Sequence, residues 1–195
     1  MASLIAKFHL HPIIDHFTIA LLGIGVLADV FASGFVALLG HRNEFLGKWH
    51  DRLKSTAVQL LVVGALAAVL SRFTGESEAE RLWDTMSRAA QQLLWSDVGS
   101  GQLLSHAILG TYLMYAFMSL ALWRVLQEIS RLVGRTRPIY LLFALIVTGA
   151  LLYQGKTGGE LVYEYGVGMP RMTGNAHQIG QLPEEKHTVS NFTKR

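Results

Sequence analysis

The chain reads as an all-α membrane protein, a four-transmembrane-helix bundle with an extra interfacial amphipathic helix and a glycine-rich C-terminal segment. Three observations predict this. The 195 residues are 51% hydrophobic and 16% charged, with a mean hydropathy of +0.33. The apolar excess is gathered into four runs, at about residues 17–39, 55–71, 103–126 and 138–153. Basic residues stand in the segments between these runs, as they do in the loops of membrane proteins. Residues 1–169 are therefore expected to form one transmembrane domain and residues 170–195 an extramembrane tail.

The first run, Phe17 to Leu39, is 23 residues long, and a span needs roughly 20. Pro12 suits the first turn of this helix, where a missing N–H costs nothing. No long apolar core precedes the histidines near the N-terminus, so the run is expected to be a permanent span and not a cleaved signal. A loop from His41 to Lys54 precedes the second span. Between the second and third spans, residues 78–95 have helical rhythm. Leu82, Met86, Ala90 and Leu93 recur at three- and four-residue steps opposite Glu80, Arg81, Asp84 and Arg88. This helix is expected to lie on the membrane surface, with Trp83 and Trp95 at headgroup level. The fourth span starts at Pro138. After Gln154 the chain turns glycine-rich, and Val162, Tyr163, Tyr165 and Val167 have strand-like content. That segment is expected to fold over the mouth of the bundle, with Glu184 to Arg195 disordered.

Charge sets the expected orientation. The first loop carries Arg42, Lys48, Arg52 and Lys54, and the third region carries Arg124, Arg131, Arg135 and Arg137. The second loop offsets its arginines with more acids. The positive-inside rule then puts the first and third loops in the cytoplasm and both termini outside. The formal charge of +3 resides in these loops, so a nucleic-acid partner is not expected. The absence of cysteine excludes thiolate metal sites, iron–sulfur ligation by this chain and disulfides. No nucleophile–base pair or phosphate loop appears, so nothing supports a hydrolase or transferase.

Eight histidines carry the chemistry. His11 and His16 stand at the outer end of the first span, and His106 is one turn into the third, also at the outer end. His41 and His50 fall on the other side and read as interfacial residues. A haem takes one imidazole from each side of its plane, and bundle cores house such groups. His16 and His106, on different spans at one depth, are the expected axial ligands. His11 is the substitute or a supporting partner, with Asp15 placed to bond it. Gly23 and Gly110 lie within about 40° of His16 and His106 on their helices and would leave room for a porphyrin face or for a neighbouring helix. Tyr163, Tyr165, Lys156 or Arg72 could meet the propionates. Asp29 is expected near the bilayer midplane, facing the bundle, protonated or hydrogen-bonded, with Tyr112, Tyr115 and Thr148 at compatible depths. On a helical wheel it shares the face of His11 and Asp15, about 140° from His16.

Several of these stretches resemble a family of small bacterial membrane proteins catalogued as domain of unknown function 2231. The opening His11–Pro12, then His16–Phe17–Thr18–Ile19–Ala20–Leu21–Leu22, is similar to the family's His-Pro followed by His-Phe-Pro-Ile-Ala-Leu. The likeness continues through Asp29 and Ser105–His106–Ala107. It closes with Gly158–Gly159–Glu160–Leu161–Val162–Tyr163–Glu164–Tyr165–Gly166–Val167–Gly168. The chain departs from the pattern at Thr18, where proline is usual, and in its long second loop, whose helix would then be an addition for docking a partner. The resemblance implies four helices and association with cytochromes and Rieske-type redox proteins, without a settled reaction.

The expected function is a haem b-binding membrane subunit taking part in electron transfer in a bacterial respiratory or photosynthetic redox complex. Its expected place is the bacterial cytoplasmic membrane. Its expected partners are the lipid bilayer, other membrane subunits and a c-type cytochrome or Rieske-type protein. Two alternatives stand beside it. One is a cofactor-free accessory subunit of a larger membrane complex. The other is a divalent-metal protein using His11, Asp15, His16 and His106.

Overall fold

A computed structural model describes residues 10–39, 44–95 and 105–168, and the side chains of all of these but 35–39 and 44–46. Among the described residues every element is helical. Helix α1 is Leu10–Leu39 and α2 is Glu44–Leu82, followed by a 3-10 turn Trp83–Thr85. Next come α3 (Arg88–Trp95), α4 (His106–Ile129), the one-turn α5 (Arg131–Gly134) and α6 (Arg137–Tyr163). Four of them, α1, α2, α4 and α6, are long and apolar enough to cross a membrane. The tail 170–195 and His9, His41, His177 and His187 lie outside the described residues.

The four long helices pack in the cyclic order α1–α2–α4–α6. The inward residues of each follow four- and three-residue steps, strictly alternating on α1, α2 and α6 and with one doubled four-residue step on α4. On α1 they are His11, Asp15, Thr18, Leu22, Gly25, Asp29 and Ala32. On α2 they are Ala57, Leu61, Gly64, Ala68, Ser71 and Gly75, and on α4 His106, Leu109, Leu113, Phe117, Leu120, Arg124 and Gln127. On α6 they are Tyr140, Ala144, Val147, Leu151, Gln154 and Gly158. A seven-residue repeat keeps one seam facing the neighbours along the whole span. Small residues on α2 bring it close to α1. A Cβ added at Gly64 would stand 2.7 Å from Leu22 Cδ2, and one at Gly25 would stand 3.2 Å from Leu60 Cβ. Ile24, Leu27, Phe31, Val63, Leu66, Leu142, Phe143 and Ile146 point outward, as a lipid-facing surface requires.

The seams divide the bundle into three layers. His11, Asp15, Ser71, His106, Gln154 and Thr157 gather at one end, called here the histidine end. Leu22, Val26, Leu61, Leu113, Phe117, Leu120 and Leu151 form an apolar middle. Asp29, Arg124 and Arg137 gather at the other, the arginine end.

Several boundaries differ from those read off hydropathy. The second helix begins at Glu44, so most of the expected loop 41–54 is helical, and it runs 39 residues to Leu82, about 58 Å at 1.5 Å per residue. Residues 78–82 therefore extend α2, and only Arg88–Trp95 forms a separate amphipathic helix. Its Ala90, Leu93 and Leu94 pack on Leu161 with Ala79, Met86, Ala107 and Val167, so it folds onto the end of the bundle. The fourth helix runs ten residues past the expected Tyr153 and takes in Gly158 to Tyr163. The closing motif is thus helical to Tyr163 and a turn beyond it, and not strand-like. It ends where Gly166 adopts φ +65°, a conformation open to glycine. The N–H groups of Tyr165 and Val167 there return to the carbonyls of Glu160 and Leu161.

Asp29 is fully buried and faces the bundle as expected, but its partners are not the expected ones. Helix α1 runs to Leu39, so Asp29 lies ten residues, about 15 Å, from its end. Its partners are arginines. Arg124 Nε donates to Oδ2 at 2.8 Å and Arg137 Nη2 to Oδ1 at 2.7 Å. Arg124 Nη1 also pairs with Glu128, which meets Lys54 Nζ at 2.7 Å. Arg137 Nε donates to Ser33 Oγ at 2.7 Å. Tyr112 and Tyr115 are exposed, and Thr148 bonds its own helix at Ala144 O. The buried Asp29 carboxylate ties α1, α4 and α6 together, and Glu128 extends the network to Lys54 of α2. It also reassigns Arg124 and Arg137 from loop charges to internal partners. Among the described residues, Lys48, Arg52, Arg131 and Arg135 remain as the exposed bases at that end.

Candidate functional site

At the histidine end the four helices splay around a cavity of about 590 Å³, within the range of pockets that hold cofactors and small molecules. Its floor is apolar, built from Leu22, Leu113, Met114, Phe117 and Leu151. Its walls carry His11 and Asp15 from α1, Ser71, Arg72 and Glu76 from α2, His106 and Gly110 from α4, and Gln154 and Gly158 from α6. Leu94 and Trp95 of α3 and Val167 of the closing turn border it from above.

The two inward histidines sit alike. The His11 ring lies against Gly75, where an added Cβ would be 2.8 Å from Cε1. The His106 ring lies against Gly158, where it would be 3.1 Å from Cε1. In each case the following long helix supplies a glycine as the seat for an imidazole. The hydrogen-bond partners assign the ring protons. His11 Nδ1 is 3.1 Å from Ser71 O, and a carbonyl only accepts, so Nδ1 carries the proton and Nε2 the lone pair. The Gln154 amide nitrogen donates to His106 O at 3.0 Å and lies 3.2 Å from His106 Nε2. An amide nitrogen also only donates, so Nε2 is the acceptor there too. His106 Nδ1–H then donates to Thr157 Oγ1 at 3.0 Å, and Thr157 passes its own proton to Gln154 O at 3.0 Å. This is the tautomer that a metal-binding imidazole needs, with its far N–H anchored by the protein. Gln154 Oε1 and Ser105 Oγ beside the ring are buried without a partner.

His16 is turned away from this pair. It borders the cavity but is exposed on the flank of α1, its Nδ1 bonded to Pro12 O one turn back at 2.6 Å. The expected pairing of His16 with His106 across a bundle core therefore lacks one partner facing inward, and His11 occupies that position. Gly23 has nothing within 4 Å of an added Cβ, and Gly110 yields its space to Gln154 Nε2 at 3.0 Å. Gly23 thus stands beside open space, and Gly110 admits a side chain of the neighbouring α6.

The remaining expected contacts are distributed as follows. Tyr163 borders the cavity but is 84% exposed, while Tyr165 stands outside its wall. Lys156 is exposed and pairs with Glu160 at 3.3 Å. Arg72 is inside the wall, its Nε donating to Thr111 Oγ1 at 2.8 Å and its Nη1 to Glu76 at 2.9 Å. Among the described residues no three His, Asp or Glu side chains converge on one point. His11, Asp15, His16 and His106 thus do not form the four-ligand centre that the divalent-metal alternative needs. On the arginine side, His50 bonds Ala32 O at 2.9 Å, which is a structural contact between α1 and α2.

Sequence reasoning missed the roles of Ser71, Thr157 and Gln154. Ser71 and Gln154 sit where each apolar run stops, and both continue the heptad seam of their helix.

The fold and this cavity define a multi-pass membrane protein with a polar-walled pocket at one end of a four-helix bundle. Residues 7–171 match the family described as "Predicted membrane protein (DUF2231)", and the chain belongs to that family. No curated protein and no solved structure matches the chain.

Proposed function

We propose that this chain is a haem b-binding membrane subunit that carries electrons, its cofactor held between His11 and His106. The observation that carries the reading is the matched pair of imidazoles. They come from different helices and border one cavity, each with Nδ1 anchored, Nε2 bearing the lone pair and a glycine under the ring. The apolar floor suits the body of a flat macrocycle, and Arg72 is the wall's cation for its acidic edge. Haem supplies a one-electron carrier when bound. The chain's own residues fix two imidazole rings, exclude water with the roof formed by α3, and hold charge near the ring edge. Ligation at His106 requires the Gln154 amide nitrogen to release Nε2 while it keeps its bond to His106 O.

A reduced-minus-oxidised absorption spectrum and an iron assay of the detergent-purified protein test this. Sharp six-coordinate bands and about one haem per chain are expected. A colourless, iron-free protein would leave the second reading, a cofactor-free accessory subunit. One observation favours that alternative, since both His106 nitrogens already have protein partners.

The proposed setting is the bacterial cytoplasmic membrane, with the histidine end and both termini outside. There the cavity can exchange electrons with a c-type cytochrome or Rieske-type protein. Exposed Lys48, Arg52, Arg131 and Arg135 at the arginine end support this orientation. The chain has no native cysteine, so single-cysteine labelling reads it directly. Ser77→Cys and Thr193→Cys are expected to react with an impermeant thiol reagent in intact cells, and Asn43→Cys only after lysis. Labelling of Asn43→Cys alone in intact cells would invert the topology.

A further inference from the structure

We infer that Asp15 is the counter-charge of the cavity, the carboxylate that stabilises a positive centre held between His11 and His106. The inference rests on the haem reading above and assigns a positioning role that the reading does not use. Three acids border the cavity, namely Asp15, Glu76 and Glu78. Glu76 is paired with Arg72 at 2.9 Å and Glu78 with Arg81 at 3.0 Å. Among the described residues, no lysine or arginine stands within ion-pair distance of Asp15. Its Oδ1 accepts instead the Ser71 hydroxyl at 2.9 Å. The carbonyl of that same Ser71 accepts the His11 Nδ1–H at 3.1 Å. One residue of α2 thus links the acid to the ring.

A partly buried carboxylate without a cation is costly unless its surroundings supply the opposite charge. A bis-imidazole haem does so in one oxidation state only. The porphyrin carries two negative charges, so the centre is +1 with ferric iron and neutral with ferrous iron. Asp15 therefore stabilises the ferric form and lowers the midpoint potential. Arg72 acts in the opposite direction from the facing wall. His106, with Nε2 as acceptor and Nδ1–H donating to Thr157, leaves the sign unchanged.

Redox titration of the purified haem-loaded protein at neutral pH tests the assignment. Asp15→Asn keeps the acceptor for Ser71 and removes the charge. It is expected to retain the six-coordinate bands and raise the midpoint potential. At a fixed poise the ferric-to-ferrous ratio then falls on the order of tenfold, the scale of one charge removed from a partly buried site. Asp15→Glu is expected to restore the wild-type potential, and Arg72→Gln to lower it. Should Asp15→Asn fail to accumulate, Ser71→Ala serves, since it strips the hydroxyl from the carboxylate and leaves the backbone carbonyl on His11. Its potential is expected to fall. Haem bands with an unmoved potential in these variants would overturn the Asp15 role and leave the haem reading standing. A wild-type protein without haem would overturn both.

Discussion

Asp29→Ala is expected to destabilise the bundle by about 3–5 kcal/mol, the usual cost of breaking a buried ion pair from one side. The acid and its partner Arg124 are both 0% exposed. Removing the carboxylate leaves the Arg124 guanidinium, whose Nη2 already lacks a partner, buried with Glu128 alone. Among the described residues, Arg137 loses its only acid and keeps just the Ser33 hydroxyl. For a chain of this size the loss corresponds to a fall in melting temperature on the order of 10 °C, measurable in detergent by circular dichroism.

Two companion changes separate charge from packing. Asp29→Asn keeps the shape and hydrogen-bond acceptor and is expected to lose less. A double Asp29→Leu, Arg124→Leu change removes both charges together and is expected to recover much of the stability, because the desolvation cost disappears with the pair. An Asp29→Ala protein that melts with the wild type would show that the network contributes nothing. The apolar layer of Leu113, Phe117 and Leu120 separates this network from the cavity, so cofactor bands are expected to survive the change.

Much of this architecture was legible in the residues. The four spans, their membrane character and the histidine-rich end follow from hydropathy and composition. Hydropathy places the ends of the second and fourth spans too early for one physical reason. It stops at Ser71–Arg72 and at Gln154, but those polar side chains bond partners across the bundle, which a window along one helix does not see. The arginines illustrate the same limit. Arg124 and Arg137 read as loop charges, yet their partner lies 95 and 108 residues away.

The inward direction of His11 is a different case, since the sequence contains what sets it. A carboxylate inside a span must face the bundle, and Asp29 shares its face with His11 and Asp15. Depth alone pairs His16 with His106, whereas the direction of that face points to His11. The roles of Gly75 and Gly158 were not legible, because a glycine seat depends on where a ring from another helix comes to rest.

Loss of one axial imidazole is expected in His11→Ala and in His106→Ala, and also, without touching either histidine, in Gly75→Ala. The two alanine changes remove a ligand and are expected to abolish the haem or leave it five-coordinate. His16→Ala and His50→Ala are expected to keep the six-coordinate bands. The glycine series then tests the seats. A methyl at Gly75 would stand 2.8 Å from Cε1, 3.0 Å from Nδ1 and 3.2 Å from Nε2 of His11, so it meets the face of the ring and not a flexible tip. The ring must slide, and its bond to Ser71 O breaks. At Gly158 the nearest approach to His106 is 3.1 Å and the next 3.8 Å, so the ring shifts by tenths of an ångström. Weakened or partly converted bands are expected there. Gly155→Ala meets only Ile19 Cδ1 at 3.5 Å and Gly23→Ala meets nothing within 4 Å, so both are expected to match the wild type. The order Gly75, then Gly158, then Gly155 and Gly23 tests the assigned geometry, since a general loss of fold would not follow it. Bands lost in His16→Ala and kept in both His11→Ala and Gly75→Ala would return the axial role to His16 and require α1 to turn by about 140°, which its packing against α2 through Gly25 and Gly64 opposes.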